Sequence, residues 1–166
     1  MMIGVYWGRF NPPHNGHMNL VKKILGEVDL LVIAIGESTT KNEKRNPFSG
    51  SERKRMFEAF LREEKLKRVK IVLVPTTKSF SESVKKLFEV CPKFDVLYTD
   101  KEIIIRKIKH KVGIRRIRRV GTVSATKIRD AIANDREWKH LTGKSVAKII
   151  KKINGIARIK KTYHRP

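Results

Sequence analysis

Short apolar runs and segments of helical spacing alternate along this chain, and the alternation predicts its elements in order. Ile3–Trp7 predicts a strand and Gly16–Leu25 a helix. Asp29–Ile35 reads Asp-Leu-Leu-Val-Ile-Ala-Ile; a run with no polar position after its first residue predicts a strand covered on both faces. Gly36 to Phe48 is polar, carries Gly36, Asn42 and Pro47, and predicts a loop. Ser49-Gly50-Ser51-Glu52 has the capping-box pattern, and Met56, Phe57, Phe60 and Leu61 share one face of the helix it opens. Lys70–Val74, closed by Pro75, and Phe94–Tyr98 predict two more strands, separated by a helix over Ser81–Val90 that stops near Pro92.

The pattern is fainter after residue 100. Glu102–Lys109 has helical character and Gly113 breaks it; Ile114–Val120 gives a strand signal crowded with arginine. Ser124–Ala133 predicts a helix with Ser124 as N-cap. Val146, Ile149, Ile150 and Ile153 form an i, i+3, i+4, i+7 stripe ended by Gly155, and the basic tail Arg158–Pro166 is expected to be loosely held. Strand–helix alternation with buried strands predicts an α/β fold, a parallel sheet of about five strands with helices on both faces and a helical C-terminus. No linker or repeat divides the sequence, so residues 1–166 are expected to form one domain, with about 135–166 as a helical extension.

Charge changes this picture. The formal net charge is +23. Residues 101–166 hold 21 Lys and Arg against 4 Asp and Glu, while the first 100 hold 18 against 12. Such a field attracts polyanions, with nucleotides the first reading and nucleic acid the second. The same charge also suits a solvated basic surface of the kind found in lysine-rich proteins from hot environments. The N-terminus lacks the basic start of a signal peptide, and no run of 18 apolar residues predicts a membrane span. Cys91 is the one cysteine; no internal disulfide can form, and a cytoplasmic location is expected.

The candidate chemistry is concentrated in Gly8-Arg9-Phe10-Asn11-Pro12-Pro13-His14-Asn15-Gly16-His17, a turn between the first strand and the first helix. Such a turn directs imidazoles and backbone N–H groups to one spot above a helix N-terminus, which suits a phosphate chain. Gly8 permits close backbone approach, the prolines stiffen the turn, Gly16 opens the helix without a side chain in the way, and Arg9 adds a fixed charge. No nearby cysteine or carboxylate completes a zinc set with His14 and His17. A second constellation, Ser124-Ala125-Thr126-Lys127-Ile128-Arg129, places hydroxyls at another helix start with an arginine one turn on.

Together these motifs resemble the nucleotidyltransferase superfamily of adenylyl- and cytidylyltransferases, with its His-x-Gly-His and Ser-x-Thr-x-x-Arg signatures. More closely, the chain is similar to the archaeal-type nicotinamide-mononucleotide adenylyltransferases. That likeness includes Arg45-Asn46-Pro47-Phe48-Ser49-Gly50-Ser51-Glu52-Arg53 and Glu137-Trp138-Lys139-His140-Leu141, and it spans nearly the whole chain. It implies a Rossmann-like, doubly wound sheet. It further implies attack by the phosphate of nicotinamide mononucleotide on the α-phosphorus of ATP, giving NAD and pyrophosphate. On this reading His14, His17 and Arg129 are catalytic. Gly8, Arg9, Phe10, Asn11, Gly16, Ser124 and Thr126 cradle the nucleotide, with Arg45 and Arg53 as candidate contacts to the acceptor or to phosphate. Mg²⁺ arrives with ATP, and a homo-oligomer is expected.

Two departures bear on the acceptor. The family's tryptophan near the start of the helix after the third strand, which stacks on the nicotinamide ring, is absent from Lys78-Ser79-Phe80-Ser81-Glu82-Ser83-Val84; Phe80 is the candidate substitute. The family's Tyr-Ser-Gly-Asn-type segment reads Tyr98-Thr99-Asp100-Lys101, without glycine. Two alternatives therefore stand beside the first reading. One is the same chemistry with phosphopantetheine, flavin mononucleotide or a small alcohol phosphate, with ATP or CTP. The other is a non-catalytic nucleotide- or RNA-binding protein on this scaffold.

Overall fold

The structure is a computed structural model and describes residues 1–118 and 121–164. Five strands form one wholly parallel sheet: β1 (Ile3–Gly8), β2 (Leu30–Ile35), β3 (Val69–Leu73), β4 (Val96–Thr99) and β5 (Gly113–Arg116), in the order β3-β2-β1-β4-β5. The chain winds from β1 outward through β2 to β3, then crosses back to place β4 on the other side of β1. The switch point, where such sheets take their ligands, is therefore the carboxyl end of β1 and β4.

The strands sort their side chains with a period of two. Leu31, Ile33 and Ile35 face a layer made by α1 (Asn15–Leu25), α2 (Gly50–Glu63), α5 (Ala125–Ala133), α6 (Lys144–Lys152) and α7 (Gly155–Tyr163). Val32 and Ala34 face α3 (Phe80–Val90) and α4 (Glu102–Ile108). Both faces are covered, which is why β2 carries no polar residue. Among the described residues no helix is long and apolar enough to cross a membrane.

The predicted strands and helices appear within two or three residues of their expected bounds wherever the chain is described. The predicted strand Ile114–Val120 forms over Gly113–Arg116, and its far end lies outside the described residues. The tail expectation is overturned over the described residues of that segment. Arg158–Tyr163 belongs to α7, which follows α6 after a left-handed turn at Asn154 (φ 57°). Ile159 is fully buried, and α7 packs on α5 and α6. Helical propensity spread over a strongly basic segment is a weak signal; burial of one apolar stripe orders the helix. Trp138 joins the same core, and Cys91 is buried with its thiol pushed up to about 12 by desolvation.

Candidate active site

The chain leaves β1 at Gly8 and turns into α1 directly above the switch point. The turn is tight. A Cβ on Gly8 would lie 2.9 Å from the Phe10 ring. Phe10 itself holds a left-handed backbone, φ 51°, at a cost of about 1 kcal/mol. Its ring packs edge-on against Tyr6 (5.0 Å), Phe57 (5.0 Å) and His17 (4.8 Å), which holds it there.

Asn11 is buried and works as a clamp. Its side chain donates to the Phe48 carbonyl at 3.1 Å and accepts from the Phe48 N–H at 3.2 Å. The far side of the turn is tied to the C-terminal segment: Thr142 Oγ1 donates to the Pro13 carbonyl and Asn15 to the His140 carbonyl.

The two histidines share one arrangement. His14 is the N-cap of α1, and its Nδ1 accepts from the Gly16 N–H at 3.1 Å. His17 reaches back, and its Nδ1 accepts from the His14 N–H at 3.2 Å. This is a capping box made from imidazoles in place of Ser and Glu. A neutral ring that accepts at Nδ1 carries its proton at Nε2, so both rings become Nε2–H donors. The rings stack 3.6 Å apart, tilted by 25°. Gly16 suits the packing, because a Cβ there would lie 3.0 Å from His14 Cε1 and press on that ring.

The second constellation meets the first through Arg129. Ser124 caps α5, its Oγ accepting from the Lys127 N–H. Arg129 Nη1 donates to the Asn11 carbonyl at 2.9 Å, and Nη2 to Thr126 Oγ1 at 3.3 Å. Arg129 Nε and Arg9 Nη1 are buried without a hydrogen-bond partner. Burial holds both guanidiniums below their ordinary pKa, and Arg45 lowers both further; Tyr163 works against this at Arg129, as Glu37 does at Arg9. The site therefore gathers cations around a cleft of about 190 Å³ with too few anions of its own.

Gly8, Arg9, Phe10, Asn11, His14, Gly16, His17, Arg45, Ser124, Thr126 and Arg129 all line this cleft. Two predicted residues do not. Arg53 is wholly buried beneath the turn, and every polar atom of its guanidinium group donates to a backbone carbonyl: Ser49, Arg9, Gly36 and Glu37. Its pKa falls to about 10 through burial. It holds the loops together and makes no cleft contact. Phe80 stands beside Trp7, the two rings 6.2 Å apart and within 19° of parallel, and Trp7 lines the cleft together with Tyr6 and Phe10.

Trp7 was missed as a site residue because it reads as the last apolar position of a strand. Thr99, Asp100 and Lys101 line the opposite wall. Thr99 ends β4 and Asp100 and Lys101 follow it; the topology sets that strand beside β1, and the adjacency is not written in the local sequence.

The C-terminal helix also reaches this region. Arg158 grips both carboxylate oxygens of Glu52, at 2.7 and 2.9 Å, and donates to the Pro47 carbonyl. Burial pushes the Glu52 carboxyl up, but Arg158 and the Ser49 N–H outweigh it and hold the group below its usual range. Lys44 lies over the Tyr163 ring. Thus α7 anchors the loop that carries Arg45.

Residues 5–131 match the family described as cytidylyltransferase-like. The chain is 35% identical, over 96% of its length and 88% of the relative's, to a protein of Thermococcus sibiricus named nicotinamide-nucleotide adenylyltransferase. A protein of the same name from Pyrobaculum arsenaticum is 36% identical, over 96% of this chain and 93% of its own. Among solved structures, a bifunctional NMN adenylyltransferase/ADP ribose pyrophosphatase from Francisella tularensis, complexed with AMP and a manganese ion, superposes with a TM-score of 0.78 at 20% identity, over 97% of this chain and 51% of that one.

Proposed function

The chain belongs to the cytidylyltransferase-like family, and from that premise we propose that it is an adenylyltransferase joining ATP to nicotinamide mononucleotide, with release of pyrophosphate. The observation that carries the reading is the imidazole capping box: both histidines accept backbone N–H groups at Nδ1 beside a helix N-terminus, which in the neutral ring puts the proton on Nε2. Unpartnered guanidinium nitrogens of Arg9 and Arg129 at the same cleft add fixed positive charge.

The acceptor phosphate is already ionised, so no general base is needed. Its oxygen attacks the α-phosphorus, and the bond to the β-phosphate's bridging oxygen breaks. Catalysis is then positioning and charge stabilisation. His14 and His17 donate to the phosphate chain; Arg129, Ser124, Thr126 and the first N–H groups of α5 hold its β and γ end. Arg9 and Arg45 neutralise the acceptor phosphate. Trp7, backed by Phe80, offers a flat wall for the acceptor's heterocycle.

Among the described residues no three His, Cys, Asp or Glu are grouped to hold a metal ion. Asp100 is the one carboxylate of the cleft lining among the described residues. This donor set fits a divalent cation held by the nucleotide's own phosphates and water, Mg²⁺ in the cell, which would supply neutralisation of the triphosphate. Assembly into a homo-oligomer belongs to the same proposal and is tested by light scattering on the purified chain.

The deciding experiment is pyrophosphate release from Mg-ATP with nicotinamide mononucleotide, with phosphopantetheine and flavin mononucleotide run in parallel. Release with the nicotinamide nucleotide alone is expected. Release only with another acceptor moves the substrate and keeps the mechanism. No release with any acceptor rejects the transferase reading.

A further inference from the structure

We infer that the outer face of α6 binds the phosphodiester backbone of duplex DNA, independently of the cleft. Lys144, Lys148, Lys151 and Lys152 stand at i, i+4, i+7 and i+8 on this helix, and all four are exposed. Val146, Ala147 and Ile150 bury its opposite side, so the lysines are held in a fixed row about 12 Å long at 1.5 Å per residue. The α6 row lies within residues 138–166, which contain nine Lys and Arg and no Asp or Glu.

A solvated, ion-paired surface looks different, and the rest of this molecule shows what it looks like. Lys22 pairs with Glu64, Lys54 with Glu58, Lys86 with Glu89, Arg116 with Glu102, Arg136 with Asp130 and Lys160 with Asp135. Among the described residues no such partner is found for the four α6 lysines. The carboxylate nearest the helix start, Glu63, is engaged by the Lys144 and Ser145 N–H groups. Near the other end Lys139 lies against Lys151, with Glu137 the acidic group acting on that pair. Like charges held together with too little counter-charge are relieved by an external anion.

The row is too long for one phosphate and matches a run of backbone phosphates. Unpaired bases would need exposed aromatic rings to stack on; the large apolar side chains exposed among the described residues are Met1, Met2 and Ile103, none of them aromatic. A row of point charges with no exposed Phe, Tyr or Trp among the described residues therefore fits the duplex, whose bases are already stacked.

The test is fluorescence anisotropy of a labelled duplex of about 20 base pairs titrated with the full chain from ~50 to ~200 mM KCl. Four phosphate contacts predict a slope of about −3.6 in log K against log [KCl], a roughly hundredfold loss across that range. The variant Lys144→Gln/Lys148→Gln/Lys151→Gln/Lys152→Gln should lose at least ~10-fold in affinity at the low-salt end and most of that slope. Its adenylyl transfer and melting temperature should match the parent, which shows that it folds. The proposal is overturned by unchanged binding in that variant, by displacement of the duplex with saturating Mg-ATP, or by tighter binding of single-stranded DNA or of RNA than of the DNA duplex.

Discussion

The starts of α2 and α5 look alike and do different things. Each opens on a serine N-cap, Ser49 or Ser124, whose Oγ accepts the N–H three residues on. Each carries a buried arginine at its second turn, Arg53 or Arg129. Arg53 lies under the turn with its donors placed on four carbonyls. Arg129 lies beside the turn, donates to one carbonyl and one hydroxyl, and keeps Nε without a partner at the cleft. A buried arginine whose nitrogens are all engaged by backbone carbonyls is a structural tie; one left short of acceptors in a cleft is ready for an anion.

The largest effect separates the two helix starts by stability. Arg53→Leu leaves backbone carbonyls without donors and should cost about 3–5 kcal/mol, lowering Tm by roughly 10 °C. Arg129→Leu should cost less than half as much; equal losses by thermal melting would erase the distinction.

Catalysis should run the other way. Arg129→Ala and His17→Ala should each lower kcat by about 10²–10³ in the pyrophosphate assay, with the fold retained by circular dichroism. A wild-type rate in the His17 variant would break the reading of the imidazole capping box. Trp7→Leu sharpens the acceptor side: KM for nicotinamide mononucleotide should rise about tenfold while KM for ATP is unchanged, as expected for loss of one stacked ring. Equal shifts in both constants would make Trp7 a packing residue only.

The smallest effect concerns the first turn of α2. Glu52 has a folded-state pKa below its ordinary value, so its contribution to stability is complete above that ordinary value and is lost as pH falls through the lower one. Glu52→Gln should therefore melt lower than the parent at neutral pH and converge with it in strong acid. Parallel melting curves across the acid range would show that the Arg158–Glu52 pair adds nothing.

Much of this molecule is written locally. The period-two strands, the cap at Ser49, the cap at Ser124 and the glycine-histidine turn depend on neighbours within a few residues, so the sequence alone predicts them and the parallel sheet that joins them. The same locality marks His14, His17, Ser124 and Thr126 as candidates, because helix starts have N–H groups to satisfy. What local pattern could not determine is where the long side chains end. Arg53 and Arg129 differ only in which loops fold over them, and those loops are 16 to 118 residues away in sequence. Trp7 becomes a cleft wall because β4 crosses back beside β1, and the basic tail becomes α7 because a core exists to receive Ile159. Strand and helix follow from short-range sterics and periodicity. Burial, and with it the division between a structural guanidinium and one facing the cleft, is a property of the assembled layers.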